Sequence, residues 1–75
     1  VKIHQQSKTK VQACEIQVGD VMLSWSDDYE TDYREVIDIQ PTGYDLSGVA
    51  IWCEELDSPM VFYAGKTCSI FSRSQ

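Results

Sequence analysis

The sequence predicts an all-β fold, a small barrel of five to six short antiparallel strands with one helical turn near residues 13–16. Three observations predict it. Apolar and polar residues alternate over short runs, the period of a strand with one buried face. Gly, Pro, Asp and Ser cluster between those runs at close spacing. No window of ten residues carries the 3.6-residue period of an amphipathic helix. The 75 residues make one domain with a thin core, because a chain this short buries only about 60% of the surface it exposes when unfolded. Closing the sheet suits such a chain by hiding its edges.

Residues 1–10 read as a basic, partly mobile arm in which Val1–Ile3 can form a short strand and His4–Lys10 is a loop. Ala13–Ile16 makes the helical turn. Gly19-Asp20 is a turn or bulge, since Gly tolerates positive φ and Asp bonds nearby backbone. From Val21 the chain alternates, and the heavier set, Val21, Leu23 and Trp25, is expected inside with Ile16 and Val18. Asp27–Asp32 holds four acids and reads as an exposed, open loop. Tyr33–Gln40 is a strand with Tyr33, Glu35, Ile37 and Ile39 on one side, and Val36 breaks the alternation as a bulge would. Pro41–Gly48 is turn-rich. Val49–Glu55 is a strand with Val49, Ile51 and Cys53 inward and Ala50, Trp52 and Glu54 outward. Glu55–Pro59 is a second acidic turn. Met60–Ala64 and Thr67–Ser72 are the last strands, joined by Ala64-Gly65-Lys66 as a tight hairpin, with Cys68 and Ile70 inward. The tail from Arg73 is expected to fray.

Charge is unevenly spread. All twelve acids lie between Glu15 and Asp57, a stretch with one base, Arg34. The flanks carry Lys2, Lys8 and Lys10 before it and Lys66 and Arg73 after it, for a net charge of −6. Such a body repels nucleic acid and favours a partner with a basic surface. Direct nucleic-acid binding is not expected, because basic grooves with aromatic platforms are lacking. No apolar run approaches the roughly 20 residues of a membrane span, and the start shows no signal-peptide pattern, so no membrane partner and a cytoplasmic location are expected.

Enzymatic chemistry is not expected. Three cysteines, Cys14, Cys53 and Cys68, are an odd number without tight spacing, which reads as reduced thiols, two of them in the core. With His4 they lack the Cys-x-x-Cys or Cys-x-x-His pairs of a zinc site. His4 is the single imidazole, and nothing places it beside a nucleophile. The acids lie in turns, where they are solvated, and Asp27–Asp32 lacks the ligand spacing and central Gly of a calcium loop. No cofactor is expected. The candidate protein-binding residues are the acids Asp27, Asp28, Glu30, Asp32, Glu54, Glu55 and Asp57 with the aromatics Tyr29, Trp52 and Tyr63, since exposed aromatics beside acids are a common makeup of an interface.

Two segments carry a resemblance. Ala13-Cys14-Glu15-Ile16-Gln17-Val18-Gly19-Asp20-Val21-Met22-Leu23, followed by Arg34-Glu35-Val36-Ile37-Asp38-Ile39, resembles the entrance of short uncharacterised SH3-like β-barrel proteins of phages and prophages. Met60–Ile70 is similar to the closing segment of that group. The entrance also resembles that of Hint modules, the self-splicing domains of inteins. Splicing itself is not implied: Val1 stands where a Cys or Ser nucleophile is needed, and there is no Thr-x-x-His and no terminal His-Asn. The acidic middle, the small size and the resemblance together imply a phage-encoded, non-enzymatic module that engages or inhibits a host protein of the defence or nucleic-acid-handling machinery through its acidic surface. The alternatives are a self-associating structural or accessory phage protein, and a nucleic-acid-binding SH3-like barrel.

Overall fold

A computed structural model describes residues 7–73, which form six antiparallel strands in one sheet. These are β1 (Lys8–Gln12), β2 (Val21–Ser26), β3 (Tyr29–Thr42), β4 (Gly48–Cys53), β5 (Met60–Tyr63) and β6 (Thr67–Phe71), with a 3₁₀ turn at Ala13–Glu15. The order across the sheet is β1-β6-β2-β3-β4-β5. The all-β class and the helical turn match the sequence expectation. The expected Val1–Ile3 strand lies outside the described residues. Lys8–Lys10, expected in the mobile arm, are instead part of β1, paired residue for residue with β6 from Lys8–Phe71 to Gln12–Thr67.

The long strand β3 organises the sheet. Its first half pairs with β2, and its second half, from Val36 opposite Cys53 to Thr42 opposite Gly48, pairs with β4. A register shift between Val36 and Asp38 lies where the strand changes partner, the bulge expected from the broken alternation. Pro41 sits where β3 has β4 as its one neighbour, a position that tolerates a residue without an N–H. The bulge also corrects the expected face. Arg34 and Val36 point inward, Ile37 is exposed and Ile39 is half-buried.

In β2 the inward face is the opposite of the expected one. Met22 and Ser24 are buried, Val21 and Leu23 are half-buried, and Trp25 is 43% exposed. Val18, also expected inside, is exposed, while Ile16 is buried as expected. The phase is set by Asp20. Its buried carboxylate accepts the Gln17 N–H at 2.8 Å and two Arg73 bonds, Nε at 2.8 Å and Nη2 at 2.7 Å. With Asp20 inward, a period of two carries Met22 and Ser24 inward as well. Trp25 then falls at a register shift between Ser24 and Ser26, which leaves its ring edge-on to Phe62, centroids 6.0 Å apart.

The turn before β2 needs Gly19, whose φ is +101° and lies in a region that side chains rarely adopt. Its N–H donates to the Val36 carbonyl, and the Val36 N–H donates back to the Asp20 carbonyl. The core comprises Ala13, Ile16, Met22, Val36, Val49, Ile51, Cys53, Met60, Cys68 and Ile70. Val49, Ile51, Cys53, Cys68 and Ile70 are inward as the alternation predicts. Burial pushes the thiols of Cys53 and Cys68 up, which keeps them protonated at neutral pH.

Two connections differ from expectation. Asp27–Asp32 is not an open loop. Asp27-Asp28 alone forms a tight turn, and Tyr29 onward is already β3. The β-branched and aromatic residues Thr31 and Tyr33 favour the extended ladder over charge repulsion. Ala64–Lys66 does not close a hairpin, because β5 pairs with β4 while β6 pairs with β1 and β2. Three residues thus link strands far apart in the sheet order, which requires the sheet to curl. The turn is held by Lys66 N–H on the Tyr63 carbonyl, and the 3₁₀ turn docks on it through Ala13 N–H to Lys66 O and Cys14 N–H to Ala64 O.

The tail is anchored as far as it is described. Ser72 N–H donates to Ser7 O at 2.7 Å, and Arg73 Nη2 donates to Glu15 O as well as to Asp20. The Arg73 guanidinium holds the Asp20 carboxyl below the usual carboxylate range, with the Gln17 N–H adding to it and burial opposing. A depressed folded pKa stabilises the fold above the unfolded value of about 3.9 and loses that stabilisation as pH falls through the folded value. The stability gap between the wild type and Asp20→Asn is therefore expected to be widest above about pH 5 and to shrink below about pH 4. Urea melts from neutral to acid pH measure it, and a gap that stays constant across that range refutes the role of this carboxylate.

Candidate functional site

The candidate acids and Tyr29 come from two connections, and the start of β3 beside them, that the fold brings to one end of the molecule. Asp27 and Asp28 form the β2–β3 turn, followed by Tyr29, Glu30 and Asp32 at the start of β3. Glu54, Glu55 and Asp57 belong to the β4–β5 loop. Arg34 joins the two. Its side chain is 8% exposed, and Nη2 donates to the Glu30 carbonyl at 3.0 Å while Nε donates to Glu55 at 3.1 Å. Nη1 donates to both the carbonyl and the hydroxyl of Ser24, at 3.1 and 3.2 Å. Glu54 accepts the Glu35 N–H at 3.2 Å and donates its own N–H to the Glu35 carbonyl at 2.9 Å, fixing the loop against β3. A cleft of about 240 Å³ runs between the connections, lined by Ser26 and Asp27 on one side and Ser58, Pro59 and Met60 on the other.

All seven candidate acids are exposed. The side chains of Asp27, Asp28, Glu30 and Asp57 make no hydrogen bond or ion pair among the described residues. Arg34, the base that sequence counting sets against them, is turned inward and spans backbone carbonyls. Glu55 adopts a left-handed φ of +74°, a sparsely populated conformation for a non-glycine residue that places its carboxylate against Arg34.

The aromatic candidates divide. Tyr29 follows the acidic turn and is 39% exposed. Trp52 is half-buried on the outer face of β4, opposite Asp38 and two residues before Glu54. Tyr63 is exposed but lies opposite Gly48, at the other end of β4, so it does not join the acidic end. The β3–β4 turn lies at that same far end and presents Tyr44, fully exposed, and Leu46, 66% exposed with φ at +60°. Sequence reasoning did not single these two out. Their signal was two large apolar residues inside a Gly-, Asp- and Ser-rich turn.

The outer face of the other half of the sheet is occupied differently. Tyr33 stacks on Phe71 at 4.6 Å and its hydroxyl meets Ser69 Oγ at 2.8 Å. Lys8 Nζ lies 5.0 Å from the Tyr33 ring centroid, a cation–π arrangement. Among the described residues no three His, Cys, Asp or Glu side chains are placed to hold a metal ion, and no helix is long and apolar enough to cross a membrane. His4 lies outside the described residues. Compared with protein-family models, with curated proteins and with solved structures, the chain has no match.

Proposed function

We propose that the protein is a non-enzymatic binding module that engages a basic surface on a partner protein through its acidic end. The observation that carries this reading is the joining of the start of β3, just after the β2–β3 turn, to the β4–β5 loop by Arg34. It gathers acids that are far apart in sequence onto one surface and leaves Asp27, Asp28, Glu30 and Asp57 free to face a partner. Tyr29 and Trp52 add apolar area beside them, the mixture from which interface anchors are drawn. The resemblance of the entrance and closing segments to short phage and prophage proteins supports a phage origin and a host protein as partner. Host proteins that handle nucleic acid are basic where they meet it. The same resemblance, with the three-residue link between β5 and β6, supports reading the curled sheet as a small open barrel of the SH3-like kind.

The test is affinity capture from host lysate at low salt, followed by association kinetics with the captured protein. Neutralising Asp27→Asn, Asp28→Asn, Glu30→Gln and Asp57→Asn together leaves every described hydrogen bond in place. It is expected to slow association by about tenfold or more, with a smaller change in dissociation, as for electrostatically steered encounter. Recovery of no partner, or a neutralised variant that associates as fast as the wild type, rules the reading out.

A further inference from the structure

The five bases among the described residues are not equally engaged. Arg34 is bound to Glu55, Arg73 to Asp20, and Lys8 lies over Tyr33 and Phe71. The remaining two, Lys10 and Lys66, have no carboxylate within 4.0 Å among the described residues. Both line one groove of about 400 Å³.

That groove opens because β2 and β6 share a single bridge, Met22 opposite Ile70. Beyond that bridge, Leu23 and Trp25 of β2 and Cys68 of β6 line the groove instead of a paired ladder. Phe62 closes it from the β5 side, edge-on to Trp25. The walls are therefore largely apolar and aromatic, and the charged lining residues are cationic. The Trp25–Phe62 pair also lines the acidic cleft that contains Asp27, so charge changes sign from one side of these rings to the other. In a chain of net charge −6, two lysines without carboxylate partners at one apolar groove are a local exception to the field of the body.

We propose that this groove binds a small aromatic anion, a planar ring carrying a carboxylate or a phosphate. The ring lies against Leu23, Trp25 and Phe62. The anion turns toward Lys10 and Lys66 and away from Asp27. The volume is within the range that holds a molecule of this kind, about 300–1,000 Å³. The groove shares its Trp25–Phe62 wall with the acidic cleft, but its lysines are not part of the surface proposed for protein binding, and the proposal does not rest on that reading.

The experiment is an NMR titration of the full chain with three probes of one shape: 2-naphthoate, 2-naphthyl phosphate and the neutral 2-naphthamide. The expected result is that at least one anion binds tenfold or more tightly than the amide, with shifts at the Trp25 indole and the Thr67–Ser69 amides. The tighter of the two anions identifies the headgroup. Lys10→Gln with Lys66→Gln, both at exposed positions, is expected to remove the tenfold preference while ring binding persists. Trp25→Ala is expected to weaken all three probes. Equal binding of anion and amide, an unchanged preference in the double variant, shifts confined to the Asp27–Ser58 cleft, or no binding at millimolar probe each overturns the proposal.

Discussion

Replacing Arg34 with leucine is expected to lower the free energy of unfolding by about 3–5 kcal/mol, the sum of several hydrogen bonds lost at one buried side chain. Little of that loss comes from the ion pair. Glu55 is 71% exposed, and a pair with one solvated end contributes at most about 1 kcal/mol. The larger part comes from buried Ser24, whose carbonyl and hydroxyl both lose the Arg34 donor, with a smaller loss at the part-buried Glu30 carbonyl. Each buried acceptor left without a partner costs about 1–3 kcal/mol. Glu55→Gln is therefore expected to cost under about 1 kcal/mol. Arg34→Lys falls between, because one ammonium cannot reproduce a planar fork that reaches four groups on three residues. Guanidinium melts of the three variants measure the order. If Glu55→Gln is as damaging as Arg34→Leu, the arginine acts mainly as an ion pair and the account is wrong. A chain of this size has about 4–11 kcal/mol in total, so Arg34→Leu approaches the limit of folding.

Truncating Ile51 to alanine is expected to cost about 3–4 kcal/mol, inside the range measured for cavity-forming core substitutions. Ile51 has no exposed surface and stands opposite both Ile39 of β3 and Met60 of β5. A void there loosens three strands at once. The midpoint of denaturation should fall with its slope unchanged, the sign of lost stability without a change in the unfolded state. Val61→Ala, one strand away but on an exposed side chain, is expected to stay within about 0.5 kcal/mol of the wild type. Equal losses from the two variants would mean that the buried face of β4 and β5 has been assigned the wrong way round.

Period-two alternation located β4 and β6, because both strands carry apolar side chains at every inward position, but Ala50, expected outward, is buried as well. It misled in β2. There the inward positions are Met22 and Ser24, in phase with Asp20 just before the strand, so that polar residues take the buried face while the heavier Val21, Leu23 and Trp25 are half-buried or exposed. The deciding interactions, Asp20 with Arg73 and Ser24 with Arg34, join residues 53 and 10 positions apart. Local hydrophobicity contains neither. The acidic character of the candidate surface was legible from composition, but its assembly was not, since the approach of the β4–β5 loop to the β2–β3 turn depends on strand order. The groove between β2 and β6 was hidden for the same reason. Lys10 and Lys66 read as ordinary flanking charges until β1 and β6 become neighbours.

The position of β6 between β1 and β2 also bears on synthesis. A ribosome releases β1 and β2 early, yet neither can take its place beside β6 until the chain through Phe71 has emerged. β2 can meet β3 sooner, and β4 can meet β5, so hairpins are available during translation. The entrance turn lacks its Arg73 latch throughout that time. Final assembly therefore waits for β6 and Arg73. A chain stalled before Thr67 leaves β1 with no partner strand and β2 paired on its β3 side alone.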